Sequence, residues 1–589
     1  MSKKTSITFV YSVLVGLVLL LIGLVSNHLG LNVELKSISA LAVFGTILTY
    51  LLLTPQSYQK LKYFCNELDW ADECVKFYKS IDVVYRRAFW LSFLFINLAF
   101  LFHTINFMWG AFDWQAVRFD VNLLDNAKGA NFAVFALQNL LFDGKILPVI
   151  NNLWAFVGLS LGGVLLAYYW DLPKKTSVYV ITTLFLAVTP YTLGVMYFAQ
   201  YTLGNLWVYC LVLSALLLGE KASSSLNRSY LYNLCSIALF LLALGTSVLS
   251  VSFVGIAVLG RVFLNVATTN SGLKEECYRQ MQGLANFMAG LLIYIFTIIL
   301  LNTVSENVVD FPGFLSAVKN VPLMLVNMFA QFGLAMPFID FGYKVLLILL
   351  VVVSVFAIIF KASSLKSSLI CLGLLPIILI FSSISYLLVD GVQASYVAYN
   401  LFYSLPIFYT LMFATLVKLD SVYLKRFAYA LVGILVFMGA VRIAYGLKVW
   451  KFGFDAETKL AERIITRMEK MEEFDIEKQY KLLQIGSQSL RKKYYIKKDK
   501  EQNSPELLDI AYYKEGIASS AYNFFYQADF LSDDVGIKVA YENPRIREFI
   551  LNLARPWPHK NSIFIDGEYI VFVLDENALY KAQREVGAH

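Results

Sequence analysis

Residues 109–154 read WGAFDWQAVRFDVNLLDNAKGANFAVFALQNLLFDGKILPVINNLW. The stretch joins two apolar runs, 88–107 and 149–170, each close to the roughly 20 residues that carry a helix across a bilayer. Between them it gathers Asp113, Asp120 and Asp125 with Arg118 and Lys128, and it places Trp109 and Trp114 where indoles settle at a water–lipid boundary. From Asn131 to Phe142 the apolar residues recur at helical spacing, which predicts a helix lying along the membrane surface. Acid and base therefore meet on the lip between two spanning helices.

Working outward, 58% of the 589 residues are hydrophobic and 15% charged, more apolar surface than a water-soluble fold can bury. The pattern predicts a polytopic α-helical membrane protein with about 13 spans, at 7–26, 37–54, 88–107, 149–170, 177–195, 203–219, 230–248, 251–268, 284–302, 342–360, 367–387, 403–418 and 426–447. The first run has the basic start of a signal peptide but is long for one and lacks a small-x-small cleavage site, so it is read as a span.

Lysine and arginine crowd into alternate loops, at Lys60 to Arg87, Lys174 and Lys175, Lys221 and Arg228, Lys274 and Arg279, Lys361 and Lys366, and Lys418 to Arg426. By the positive-inside rule these loops and the amino terminus are cytoplasmic; the 109–148 and 303–341 loops and everything after about Lys448 lie outside. Cysteine usage agrees, because no cysteine falls in a segment placed outside, and no disulfides are expected. After residue 451 there are 20 Lys and Arg against 23 Asp and Glu, so the basic excess belongs to the first 451 residues. It follows membrane orientation and anionic lipid rather than nucleic acid.

Three regions result: 1–87, two spans and a cytoplasmic amphipathic segment from Ser57 to Arg87; 88–450, the membrane core; and 451–589, a small extracytoplasmic α/β domain. The last contains a charged amphipathic helix, KLAERIITRMEKMEEFD, and a hairpin, IFIDGEYIVFV, with Asp566-Gly567 as its turn.

Several signatures are missing. The chain has no phosphate loop of the GxxxxGK[ST] kind, no GxGxxG, CxxC, HExxH or DxD, and four scattered histidines, so neither a metal site nor a cofactor is expected. An ATPase or a nucleotide-sugar enzyme would carry one of these. Chemistry outside the cytoplasmic membrane needs a donor already activated in the lipid, such as a polyprenyl-phosphate sugar. Its phosphate leaves readily if cations receive the charge, so one carboxylate base with one or two cations suffices.

Asp113, the first acid past the span, is the first choice for that base and Asp120 the second; the alternative is that either caps the surface helix or faces water. Arg118 and Lys128 are the candidates to hold the donor phosphate, or else ordinary interface anchors. Residues 188–209, VTPYTLGVMYFAQYTLGNLWVY, form a second site region, where Pro190 and two glycines interrupt the apolar run. There Tyr191, Tyr197, Gln200 and Tyr201, with Trp109 and Trp114, offer rings and polar groups to a sugar or lipid. Arg261 is read as a bundle-facing or snorkelling cation, and the 303–341 loop, with Glu306, Asp310 and Asp340, as a re-entrant lid.

Taken in order, FDWQAVRFD, NAKGANFAVFALQNLLF, LPVINNLW, TPYTLGVMYF, GLLIYIF, ETKLAERIITRMEKMEEFD and RPWPHKNSIFIDGEYIVFVL make the chain resemble the serotype-converting glucosyltransferase II family of bacterial membrane proteins, from about residue 88 onward. The resemblance implies a GT-C type fold in the bacterial inner membrane and a donor such as undecaprenyl-phosphate glucose. It also implies transfer to a glycan or lipid-linked glycan, such as an O-antigen, on the periplasmic face, with an acid of the first outer loop as catalyst. The chain departs from the family where paired aspartates are reduced to Asp113 followed by Trp114, and where a Gly-Arg is replaced by Lys128-Gly129. The sequence reading is thus an inverting, metal-independent hexosyltransferase. Its rivals are a flippase of lipid-linked saccharides and a polysaccharide polymerase or ligase of similar fold.

Overall fold

The computed structural model describes residues 70–106, 132–134, 137, 147–196, 199–224, 229–269, 272–304, 341–383, 403–475, 477–478, 480–486, 531–534 and 537–588. The two amino-terminal spans lie outside the described residues, as do the 303–341 lid with Glu306, Asp310 and Asp340, and five of the candidate residues, Trp109, Asp113, Trp114, Arg118 and Asp120. Lys128 and Tyr197 lie outside them too.

The described chain is mostly helical. In order come α1 (Trp70–Ser80), α2 (Val83–Ile105), α3 (Pro148–Tyr169), α4 (Thr176–Ala187), α5 (Tyr191–Met196), α6 (Ala199–Asn205), α7 (Val208–Ser224) and α8 (Ser229–Thr246). They are followed by α9 (Ser250–Thr268), α10 (Leu273–Val304), α11 (Phe341–Lys361), α12 (Leu365–Ser383), α13 (Leu405–Lys418) and α14 (Val422–Met468). Among the described residues nine helical stretches are long and apolar enough to cross a membrane, and α4 and α13 are shorter apolar helices. At 1.5 Å per residue these two reach only about 20 Å, less than the ~30 Å hydrocarbon layer. α13 is also enclosed along its length, every residue from Leu405 to Val417 being buried, and most of α4 is buried too. Helices inside the bundle need not match the lipid, whereas the outer ones do.

The outer helices show what they face. On α2 the residues Trp90, Leu91, Leu94, Leu98, Leu101 and Ile105 are exposed, while Ala88, Ser92, Ile96, Phe100 and His103 are buried. The two sets fall on opposite sides at helical spacing. An apolar stripe left uncovered on this scale is an aggregation liability in water and an ordinary lipid contact in a membrane.

Asp82 caps α2, its Oδ1 accepting from the Val84 N–H at 2.8 Å, so the helix that carries the predicted span 88–107 starts at Val83, inside the segment Ser57 to Arg87. Asp82 also pairs with Lys174 at 2.6 Å, and the hydrogen bond from that ammonium holds the Asp82 carboxyl below the usual carboxylate range. A depressed carboxyl contributes stability above the usual range and loses it as pH falls through the lowered value. The pair brings the end of α1 to the α3–α4 turn, both in loops assigned to the lysine-rich side.

The last span and the charged helix predicted after Lys451 are one element. α14 runs unbroken for 47 residues, about 70 Å, so the change in composition at residue 451 marks no break in the helix. It leads to a four-stranded sheet of β1 (Tyr480–Ile485), β2 (Leu531–Asp534), β3 (Ile563–Asp566) and β4 (Tyr569–Val573), in the order β2-β1-β4-β3. β1 is parallel to both β2 and β4; β3 and β4 form the predicted hairpin, with Asp566 opposite Tyr569. The loop is therefore Gly567-Glu568, one residue later than expected. Gly567 sits at φ +59°, the left-handed value that its first loop position requires.

A separate apolar cluster fills the space between this sheet, the short helices α15 (Val539–Glu542) and α16 (Pro544–Glu548), and α17 (Glu576–Ala588). The RPWPH segment joins it to the long helix. Trp557 is buried, Arg467 lies over its ring at 4.3 Å, and the same guanidinium donates to the Pro558 and His559 carbonyls at 3.1 and 3.0 Å. Trp557→Ala should cost the sheet unit about 3–5 kcal/mol. Amide hydrogen exchange should then rise across 480–486 and 557–573 and stay unchanged in the membrane helices; uniform exchange would contradict this joint.

Candidate functional site

The helix ends fall into two layers with opposite character. At one end lie the lysine-rich loops, and there the structure has built a closed ionic network. Trp170 ends α3, and Asp171 follows with φ +51°, a left-handed position usually given to glycine. The Leu172 N–H reaches back to the Ala167 carbonyl at 3.1 Å and the Asp171 N–H to that of Tyr168 at 3.0 Å, so the turn closes the helix fully. Aspartate tolerates this conformation better than most residues and gains a partner by it, because its Oδ2 accepts from Arg261 Nη2 at 3.2 Å.

Arg261, on the buried helix α9, also contacts Glu220 at 2.5 Å and stacks over the Tyr169 ring at 4.6 Å. Gln280 of α10 donates to Glu220 at 3.3 Å and accepts from the Tyr169 hydroxyl at 2.6 Å. Lys418, at the end of α13, donates to the Trp170 carbonyl and to Asn265, and Asn265 in turn donates to Glu276 at 2.9 Å. Five helices, α3, α7, α9, α10 and α13, are thus tied together by groups that largely satisfy one another. Arg261 is the bundle-facing cation expected of it, and its partners leave it no role at the other end. Cys277, expected in a loop, lies instead in the first turns of α10.

The opposite end is where the sequence placed the site. Residues 132–134 of the predicted surface helix are helical, and Ala133 and Val134 are buried. A side chain at Gly204 would strike Val134, and one at Gly245 would strike the Phe132 ring, which also stacks on Tyr294. This part of the 109–148 loop is therefore docked on α6, α8 and α10 and does not simply float at the interface.

The interruption read from Pro190 is also present. α4 stops at Ala187, α5 and α6 follow as short pieces, and the Thr192 hydroxyl donates to the Ala187 carbonyl at 2.7 Å, recovering one bond the break would forfeit. Across the break, Gly439 of α14 lies so close to the Val188 carbonyl that any Cβ there would collide with it. Tyr191, the one candidate ring whose surroundings are described, is buried in the core and hydrogen-bonded to Tyr409. Gln200 lies in α6, with its side chain outside the described residues.

Next to these lies a polar layer that the sequence reading did not single out. Asn151 and Asn152, in the first turn of α3, are buried at 2% and 3% exposure, and His103 of α2 is buried and stacked on Trp450. Trp154 and Trp207 stack one turn further on, and the Trp207 indole N–H donates to the Trp154 carbonyl. The signal was present as the doubled amide in LPVINNLW, where a spanning helix would otherwise place apolar residues. Among the described residues no group of three His, Cys, Asp or Glu is placed to hold a metal ion.

Arg261→Met leaves the Glu220 carboxylate without its cation, with only 21% of its side chain exposed, and should cost about 3–5 kcal/mol. Arg261→Met with Glu220→Gln should recover most of the loss in thermal unfolding of the purified protein; equal losses in the single and double variants would contradict the pairing. No family model matches the chain, and neither the curated proteins nor the solved structures hold a match to it.

Proposed function

We propose that this protein is a membrane glycosyltransferase of GT-C type that moves a hexose, glucose in the simplest case, from a polyprenyl-phosphate donor to a cell-surface polysaccharide or glycolipid. It acts on the outer face of a bacterial inner membrane, with the amino terminus cytoplasmic and about 13 spans in all. The observation that supports this best is a convergence at one end of the bundle. The loop carrying Asp113, Arg118 and Lys128 is docked there by Phe132 and Val134, beside the interrupted α4–α6 run and the buried asparagine pair.

In the proposed reaction an acceptor hydroxyl attacks the anomeric carbon of the donor from the side opposite the phosphate. Asp113 takes the hydroxyl proton as the new C–O bond forms, and the bond to the phosphate oxygen breaks with its electron pair. Arg118 and Lys128 receive the charge that develops on the departing polyprenyl phosphate. No second carboxyl is needed, because a phosphate leaves as a stabilised anion where an alkoxide would not. The ionic network at the far end serves as scaffold: Asp171, Glu220, Glu276 and Lys418 sit at or within about a turn of helix ends and Arg261 reaches toward them from two turns inside α9, whereas a flippase needs ionisable groups along a route through the middle.

The test is turnover of polyprenyl-phosphate hexoses by the purified protein with glycan acceptors. Asp113→Asn should lower the rate by roughly 10²–10⁴, the worth of a positioned base. Wild-type rates in both Asp113→Asn and Asp120→Asn would overturn the site, and lipid translocation without hexose transfer would replace the enzyme with a transporter.

A further inference from the structure

Asn151 is 2% exposed, and among the described residues neither its amide oxygen nor its amide nitrogen has a hydrogen-bond partner; the amide nitrogen of Asn152, 3% exposed, has none there either. Other polar side chains inside the bundle solve this problem locally. The hydroxyls of Thr182, Thr183, Thr410 and Thr415 each return a bond to the carbonyl four residues back on their own helix. The carbonyl four residues before Asn151, that of Leu147, takes the Asn151 backbone N–H at 2.8 Å, and the Asn151 side-chain amide does not bond to it, unlike that of Asn97, which donates to the Phe93 carbonyl. Among the described residues the buried hydroxyls of Ser92, Ser160 and Ser250 are also unpartnered, but each is a single small group. Two adjacent unsatisfied amides oppose folding more strongly than any of these, and an apolar residue at either position would remove the penalty.

Helix geometry says where the two amides stand. Asn151 is two turns before Gly158, whose missing side chain leaves room for the Trp207 ring, so Asn151 shares the face that α3 turns toward α6 and α7. Asn152 is one turn before Phe156, which stacks on Phe100 of α2 at 5.3 Å, so it shares the face turned toward α2. The pair flanks the end of α3 at which the 109–148 loop enters the bundle, with the stacked indoles of Trp154 and Trp207 one turn below.

We propose that Asn151 and Asn152 form a binding site for the hydroxyls of a sugar ring, and that the ring is the hexose of the lipid-linked donor; this rests on the glycosyltransferase reading above. A carboxamide holds a donor and an acceptor side by side and matches neighbouring ring hydroxyls, each of which is both. It carries no charge to offset a phosphate, so the pair reads the sugar while the cations of the loop hold the phosphate. A site built to hydrogen-bond a hydroxyl also rejects a ligand that lacks it, because the amide is then left buried and unpaired. The asparagines therefore set which hexose is accepted, acting as specificity residues outside the proton transfer.

The experiment uses the full chain in lipid nanodiscs and compares two probes, polyprenyl phosphate and polyprenyl-phosphate hexose, by thermal unfolding and by titration. The wild type should bind the hexose-bearing lipid more tightly than the bare one. Asn151→Leu and Asn152→Leu, close in volume, should each unfold at a higher temperature than the wild type. Each should keep its affinity for polyprenyl phosphate and lose about tenfold in affinity for the hexose lipid. Asn151→Ala and Asn152→Ala give the same reading if a leucine does not fit. Variants that gain stability and still bind the hexose lipid as the wild type does would overturn the site, leaving hydrated structural amides. A wild type that binds both lipids equally would overturn the sugar assignment while leaving the lipid-phosphate part of the functional reading intact. A wild type that binds neither would remove the functional reading itself.

Discussion

The Arg261 guanidinium is the interaction on which the rest of the bundle rests. It is 7% exposed in its side chain, it meets Glu220 and Asp171 together, and it lies on the most deeply enclosed of the spanning helices. A buried charge with one partner removed is more costly than no charge at all, so the network around it works as a whole. Lys418, Asn265, Glu276, Gln280 and Tyr169 complete it and carry it to five helices. Apolar helices in lipid gain little from hydrophobic sorting, since the tails are as apolar as leucine; polar contacts and close packing choose among arrangements. The ionic end supplies the first and the glycine contacts the second. Gly163 against Thr183, Gly219 against Gly283 and Gly162 against Tyr209 each bring a helix pair closer than any side chain would permit.

A bundle clamped at one end can leave polar groups unmatched at the other. The interrupted run α4–α6, the turn into α3 with its paired asparagines and the docked residues 132–134 all belong to that second end. Among the described residues, Asn151 and Asn152 there keep buried amide atoms without a hydrogen-bond partner. On the proposed function, stability and activity divide between the two ends of the same helices, the clamped end offsetting the penalty of the unpartnered amides at the other.

Most of the helical architecture was legible from apolar run length. Among the described residues, nine of the eleven spans predicted after residue 87 fall on helices long and apolar enough to cross a membrane, because the bilayer criterion needs only local composition; 177–195 is broken after Ala187, and 403–418 falls on the shorter α13. The departures have local causes as well. Asp82 moves the start of α2 because a cap outweighs the arginines that follow it, and Gly567 shifts the hairpin loop by one residue because only glycine enters the left-handed region freely there. The break at Pro190 was readable, whereas its closure by Thr192 and its contact with Gly439 needed the partner helix. The continuity of α14 past residue 451 was missed because a switch from apolar to charged residues changes a helix's surroundings without ending it. Arg261 could be read as facing the bundle; its partners, 41 and 90 positions away in the chain, could not. Asn151 and Asn152 were written in plain view and passed over, since a doubled amide matches no catalytic pattern. The carboxylates and cations of the 109–131 stretch rest on chemistry and resemblance.

In the proposed function the lipid-linked sugar enters at the end of the bundle away from the ionic network. Photo-crosslinking tests it most directly, with a polyprenyl-phosphate hexose carrying a diazirine on the sugar and the adducts mapped by peptide mass spectrometry. Adducts should fall within 109–154 and 188–207 and be competed away by unlabelled hexose lipid. Adducts concentrated around Asp171, Glu220 and Lys418, or labelling that the unlabelled lipid does not displace, would contradict it.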